Sequence, residues 1–226
     1  MFLMAAYAEI LAVIAVLFAF SIISYRKKSL SLDGIFFANI FGILIYAMGG
    51  IMPFATTVLF FAIAEISTKY SRSKLKLEHE KRTVSNIVGN GLPALISIFL
   101  GSPIAFYGAI SAALSDTVSS EIGLLSKSKP RLITRLNETV ERGVDGGVSL
   151  LGAASGIIAA IIIALICYFV TNKPEAIIVI TIAGFGGSVV DSILGAELER
   201  KGIIGNTTVN FVASLFGAVV AYGLLR

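Results

Sequence analysis

Eight apolar stretches, at about residues 4–24, 34–49, 51–67, 84–100, 102–122, 147–170, 175–195 and 206–225, divide this sequence and leave little room for anything else. A lipid hydrocarbon core satisfies no backbone N–H or C=O, so such runs must close their hydrogen bonds internally, as helices. The expectation is an all-α polytopic membrane protein: one integral membrane domain over residues 1–226, with about eight transmembrane helices. Only 14% of the residues are charged, against roughly 25% in a soluble domain. Mean hydropathy is +0.90. Several runs fall short of the roughly 20 residues of a full crossing, so those helices are expected to tilt, break or line a cavity. The first run has no basic segment ahead of it and is followed by Arg26, Lys27 and Lys28, so it reads as a retained helix rather than a leader. Cys167, inside an apolar run, reads as a packing residue.

The loops between the runs alternate in charge. If the eight runs cross in turn, one side receives Arg26 to Lys28, the cluster from Lys69 to Arg82, the loop with Lys127, Lys129, Arg131, Arg135 and Arg142, and Arg200 with Lys201. Of the 18 Lys and Arg, that leaves Lys173 and Arg226 for the other side. Lys and Arg accumulate in cytoplasmic loops. Both termini are therefore expected outside, with the long loops in the cytoplasm of a cell-membrane protein. Gly49-Gly50 with Pro53, Gly101 to Pro103 and Thr171 to Pro174 read as tight outer turns, so the elaborated face is the cytoplasmic one. The net charge of +4 belongs to this topology and to anionic lipid heads; it does not imply nucleic acid.

Acids and hydroxyls near the end of a membrane helix are costly to place and mark a functional site by default. The stretch from Ser111 to Gly147 is organised in this way. Its apolar run ends in Asp116, Thr117, Ser119, Ser120 and Glu121; a basic loop follows; then Asp145 stands between glycines. On a helix, Asp116, Ser119 and Ser120 share a face, while Glu121 stands about 140° away from Asp116. In the seventh run Gly184, Gly187, Ser188, Asp191 and Gly195 form a small, polar stripe that lets a neighbouring helix approach. Three hairpins share one plan, in which a helix ends in acid, a polar loop follows and the next helix opens with Asn or Asp and Gly.

These residues point to a divalent metal and phosphates. Asp116, Asp191, Glu121 and Asp145 are the candidate catalytic acids, with Asp116, Asp191 and Glu121 as metal ligands for Mg²⁺. Lys81, Arg82 and Arg142 would neutralise phosphate charge. Asn86, Asn90, Ser188, Asn206 and Asn210 would donate hydrogen bonds, and Gly143, Gly146 and Gly147 would expose backbone N–H groups at a helix start. Each has a plainer reading: polar glue between helices, acids paired with loop cations, and Asn206 as an N-cap. Glu65 either joins the site or pairs with Lys69 one turn on. His79, between Glu78 and Glu80, reads as a solvated loop residue. No P-loop and no clustered His/Cys zinc pattern is present in the sequence.

DTVSSEIG (116–123), RGVDGGVSLLG (142–152), GGSVVDSILGAELE (186–199) and GNTTVNFVASLFGA (205–218), preceded by SNIVGNGLPA (85–94), together resemble the transmembrane protein 19 family. That family includes the plant phytyl-phosphate kinase of tocopherol synthesis. The resemblance implies a membrane kinase of isoprenyl monophosphates, of the phytyl or geranylgeranyl phosphate type, with CTP or another nucleoside triphosphate as donor, membrane lipids around it, and the prenyl diphosphate as product. Asp116, Glu121, Asp145, Asp191 and Asn210 are the positions that match. The chain departs from the family pattern at Val144, where a hydroxyl is expected, and at Glu197 and Glu199, where Gln is expected after Gly-Ala. Two other classes suit the same residues. An ion- or proton-coupled transporter would place its acids near the bilayer midplane and open an outer vestibule. A lipid-phosphate cytidylyltransferase would use CTP and the same metal but release pyrophosphate.

Overall fold

A computed structural model describes residues 2–78 and 81–225; the readings of His79, Glu80 and Arg226 concern positions outside them. Eight α-helices follow one another: α1 (Phe2–Arg26), α2 (Leu32–Gly49), α3 (Ile51–Leu75), α4 (Val84–Phe99), α5 (Pro103–Gly123), α6 (Leu150–Thr171), α7 (Glu175–Leu194) and α8 (Asn206–Leu224). Six of them, α1 to α3 and α6 to α8, are long and apolar enough to cross a membrane. α4 has only 16 residues, and the 21 residues of α5 include Asp116, Glu121 and a run of hydroxyls. Among the described residues the protein is mostly helical with six candidate spans by length and composition, two fewer than the eight expected.

The centre of the bundle is α5, which packs against α3, α4, α6, α7 and α8. Every residue from Ala105 to Ser115 is buried. Small residues make this possible. A Cβ on Gly217 of α8 would collide with the Gly108 carbonyl, and one on Gly187 of α7 would lie 2.8 Å from the Ala213 carbonyl of α8. On the α6 side, a Cβ on Gly152 would stand 2.7 Å from the Ser119 carbonyl. Such backbone-to-backbone crossings replace the hydrophobic drive that lipid does not supply. The glycine stripe of α7 therefore faces the bundle interior, as its spacing suggested.

Two parts of the structure differ from the sequence reading. α3 continues about two turns past residue 67, to Leu75, so Lys69, Arg72 and Lys74 stand on a helix rather than in a loop. No Pro or Gly interrupts that segment, and the helix stops only where Lys76 turns left-handed, at φ 55°. The long basic loop after α5 is also not a bare loop. It folds into a three-stranded antiparallel sheet of β1 (Arg131–Leu132), β2 (Arg135–Thr139) and β3 (Gly147–Val148), in the order β2-β1-β3. The protein is thus not strictly all-α. Leu132 is the buried residue of this small sheet.

Candidate functional site

The three hairpins α3–α4, α5–α6 and α7–α8 open onto one polar cavity of about 500 Å³ at the end of the bundle. Thr68, Arg72, Lys81, Arg82, Asn86 and Asn90 come from the first. Asp116, Thr117, Ser119, Ser120, Glu121 and the loop Gly143 to Ser149 come from the second. Asp191, Ser192, Gly195, Glu199, Asn206 and Asn210 come from the third. Shared placement of acids, hydroxyls and amides in sequence becomes a shared wall in space.

Asp116 and Asp191 are within hydrogen-bonding reach of each other across the α5–α7 interface. Ser188 Oγ donates to Asp116 Oδ1 at 3.4 Å, which fixes the first carboxylate. Asp191 Oδ2 is buried and has no hydrogen-bond partner among the described residues. Two adjacent carboxylates with an unspent acceptor share either a proton or a cation between them. Mg²⁺ suits them, because it is usually held by one or two carboxylates together with waters and substrate phosphates rather than by an all-protein cage. Among the described residues no three His, Cys, Asp or Glu side chains converge into a ready ligand set. Glu121 therefore does not complete a trio with Asp116 and Asp191. Its Oε2 accepts from Ser71 Oγ at 2.6 Å and lies 3.8 Å from Arg72 Nε, so it faces α3. The angular offset on the helix is the physical reason.

Asp145 is carried by a turn with two left-handed glycines, Gly143 at φ 82° and Gly146 at φ 76°. The Gly146 carbonyl accepts from Ile133 N at 2.9 Å, and Gly147 pairs with Leu132 in the sheet. The hairpin is thus a clamp that presents the RGVDGG turn to the cavity. Arg142 is not on the cavity wall: its Nη2 donates to the Ser126 carbonyl at 2.7 Å and ties the turn to the end of α5. Gly143, Gly146 and Gly147 do line the cavity.

Arg82 is the most constrained cation. Its backbone N–H donates to Ser29 O and its carbonyl accepts from Ser31 N, both at 3.0 Å. Its Nη2 donates to Thr68 Oγ1 at 3.2 Å, and its Nε lies 3.9 Å from Glu65 Oε2. Burial pulls its pKa below the ordinary value, and Glu65, then Glu121, oppose that pull. Glu65 also pairs with Lys69 at 2.9 Å, so it supports the cations rather than lining the cavity. Lys81 stands beside Arg82 on the wall. Asn86 accepts from Thr83 N at 2.9 Å in a capping box, and Asn90 Nδ2 donates to the Asn86 carbonyl at 3.1 Å. On α8 the N-cap is Gly205; Asn206 is the first helical residue, and its Oδ1 accepts from Asn210 Nδ2 at 3.1 Å. Asn206 is therefore not the N-cap.

Glu199 was visible in the sequence only as a departure from a pattern. The structure brings it to the cavity, because α7 runs on into a π-helical turn, Gly195–Glu199. Single π turns inside helices gather at functional sites because they re-aim side chains. Glu199 hydrogen-bonds Asn206 and lies within electrostatic reach of Asp116, Asp191 and Asp145. Glu197 points the other way, to Lys201 at 2.9 Å and to Thr134 of the hairpin. Thr68, Arg72, Ser149 and Ser192 are further wall residues that the sequence did not single out; only their three-dimensional position marks them.

Residues 15–218 match the family described as Integral membrane protein DUF92. An uncharacterized membrane protein of Methanocaldococcus jannaschii is 34% identical over 86% of this chain and 86% of its own length. An uncharacterized membrane protein of Synechocystis is 28% identical over 88% of this chain and 83% of its own. The Arabidopsis thaliana protein called Protein VTE6, chloroplastic, is 26% identical over 85% of this chain and 64% of its own length. No solved structure matches. These matches carry the resemblance as far as an integral membrane family with plant members; none bears the name transmembrane protein 19.

Proposed function

Since the chain belongs to the DUF92 family of integral membrane proteins, we propose that it is a CTP-dependent kinase of isoprenyl monophosphates, working with Mg²⁺ at the cytoplasmic face of the membrane. The observation that carries this reading is the cavity itself. Paired acids, Asp116 and Asp191, stand in the same polar chamber as Lys81, Arg82, Arg72 and a glycine turn. Phosphoryl transfer asks for positioning and charge neutralisation far more than for covalent help from the protein. The motif resemblance supplies the substrate and the donor.

In this reading an oxygen of the lipid monophosphate attacks the γ-phosphorus of CTP. The new P–O bond forms as the bond from the γ-phosphorus to the bridging oxygen breaks, and CDP leaves with that electron pair. The attacking oxygen is already deprotonated, so no strong general base is needed. Asp116 and Asp191 would hold Mg²⁺, which when bound neutralises charge on the phosphates. Arg82, pinned by Thr68 and Glu65, grips the acceptor phosphate. Lys81 and Arg72 face the donor, and the Gly143 to Gly147 turn offers backbone N–H groups to it. The acids lie toward the cavity end of their helices, and short links such as Gly50 and Gly101-Ser102 join helices elsewhere. That arrangement favours an enzyme over a transporter with a midplane site.

The test uses purified protein in detergent with γ-labelled CTP, Mg²⁺ and geranylgeranyl or phytyl monophosphate. Label should appear in a lipid diphosphate and fall by about 100-fold or more in Asp116→Asn and Asp191→Asn. Label released as pyrophosphate would replace this reading with a cytidylyltransferase. No turnover of any prenyl phosphate, with ion flux in liposomes, would replace it with a transporter.

A further inference from the structure

The cytoplasmic end of α3 takes part in two acid–cation pairs built on one plan. Glu65, Thr68 and Arg72 stand at i, i+3 and i+7, on one face of the helix, and Ser71 beside them is wholly buried. In the first pair Arg82 Nε lies 3.9 Å from Glu65 Oε2, and Arg82 Nη2 donates to Thr68 Oγ1 at 3.2 Å. In the second, Arg72 Nε lies 3.8 Å from Glu121 Oε2, and Ser71 Oγ donates to that same oxygen at 2.6 Å, the length of a hydroxyl bond to a carboxylate. In each pair the acid is the more covered partner: the side chains of Glu65 and Glu121 are 10% and 15% exposed, those of Arg82 and Arg72 16% and 26%. An acid and a hydroxyl of the bundle thus hold each guanidinium in place. The first pair serves the acceptor phosphate. From the second we infer that Glu121 is a positioning residue: with Ser71 it aims the Arg72 guanidinium at the phosphates of the nucleoside triphosphate, and it does not ligate the metal. The inference rests on the kinase reading above and gives Arg72 an orientation that the reading leaves open.

Charge separates Glu121 from the other acids of the cavity. Its counter-charge is already supplied by Arg72, whereas neither Asp116 nor Asp191 is paired with a Lys or Arg among the described residues. A divalent cation on Glu121 would stand beside the Arg72 guanidinium, and like charges that close repel. Arg72 itself is held at two points. Its Nε faces Glu121, and its Nη1 donates at 3.3 Å to the carbonyl of Glu78, in the link between α3 and α4. Its Nη2 has no hydrogen-bond partner among the described residues, and the residue lines the polar cavity. A guanidinium fixed along one edge offers its remaining N–H groups in a set direction, which suits phosphate oxygens. It also has less side-chain freedom left to lose when the ligand arrives.

The experiment reads binding rather than turnover. Full-length protein in detergent is dialysed to equilibrium against radiolabelled CTP and Mg²⁺, with no lipid phosphate present. Arg72→Ala and Glu121→Gln should each weaken CTP binding about tenfold, the effect of one charge-assisted hydrogen bond. The double variant should bind no more weakly than Arg72→Ala alone, because Glu121 acts through Arg72. CMP, which lacks the β- and γ-phosphates, should bind wild type and variants about equally. Ser71→Ala, which leaves both charges in place, should weaken CTP binding about threefold, and it carries the test if Glu121→Gln does not fold. A second measurement separates the metal. Binding of Mn²⁺ without nucleotide, followed by the loss of its free paramagnetic signal, should be the same in wild type and Glu121→Gln. Weaker Mn²⁺ binding in that variant, additive losses in the double variant, or CTP binding indifferent to Glu121 and Ser71 each overturn the inference. The two proposals fail separately. CTP binding that depends on Glu121 and Arg72, without phosphoryl transfer to any prenyl phosphate, keeps the positioning role and removes the lipid kinase. Phosphoryl transfer with CTP binding indifferent to Glu121 does the reverse, and no CTP binding by wild type removes both.

Discussion

Arg82 shows how much of a site can depend on one side chain held from several directions. Its main chain is tied to Ser29 and Ser31, its guanidinium to Thr68 and Glu65. A lysine at this position keeps a charge but loses the planar fork that meets phosphate with two parallel bonds. Arg82→Lys is therefore expected to raise KM for the prenyl monophosphate by about tenfold to a hundredfold, the range of one charge-assisted hydrogen bond, while kcat falls less. Initial-rate kinetics with varied lipid substrate and saturating CTP decide this; an unchanged KM would remove Arg82 from the acceptor site. Asp116 and Asp191 were legible in the sequence because acids in apolar helices are expensive and stand out. Glu199 and Arg72 were not, since charged residues in or beside loops are common and only the fold shows which of them turn inward. Arg142 was legible as a cation and misplaced as a ligand: its partner is a backbone carbonyl, which no side-chain pattern advertises.

Two elements decide where those side chains point, and both escaped a reading based on hydropathy. One is the hairpin of β1 and β2, whose strands are too short and too polar to register against apolar runs of helical length. The other is the π turn at Gly195–Glu199, which differs from an ordinary last helical turn only in hydrogen-bond pattern. They meet at Gly146. A Cβ there would stand 2.7 Å from Ala196 Cα and N, and the residue's φ of 76° is unfavourable for any side chain. Gly146→Ala should therefore push the Asp145 turn off the π turn at a cost of about 1–3 kcal/mol. A thermal unfolding scan in detergent should show a lower midpoint, and CTP turnover should fall even at temperatures where the protein stays folded. Unchanged turnover would mean that the turn serves packing alone. The helices themselves were easier to see. Seven of the eight were bounded within about three residues at both ends, α6 losing only its first residues to β3; the exception is the extended α3.

For the whole molecule, the charge asymmetry of the loops is the strongest expectation still to be tested. Six helices qualify as spans by length and composition, and the orientation rests on where Lys and Arg fall. Single cysteines at Ser128, Lys173 and Lys201 in intact cells, probed with a membrane-impermeant maleimide, provide the measurement. Position 173 should label from outside; positions 128 and 201 should label only after the membrane is opened. Cys167 is buried and should stay silent in every case. The reverse pattern would put the polar cavity on the outer face, away from cytosolic CTP. The central place of α5 has a consequence for how such a chain comes to be made. Three of the helices that enclose it, α6, α7 and α8, follow it in the sequence. As the chain leaves the ribosome, the helix bearing Asp116 is delivered before the neighbour bearing Asp191 exists, and it must wait in the translocation machinery or at the lipid boundary until its own later third arrives to cover it.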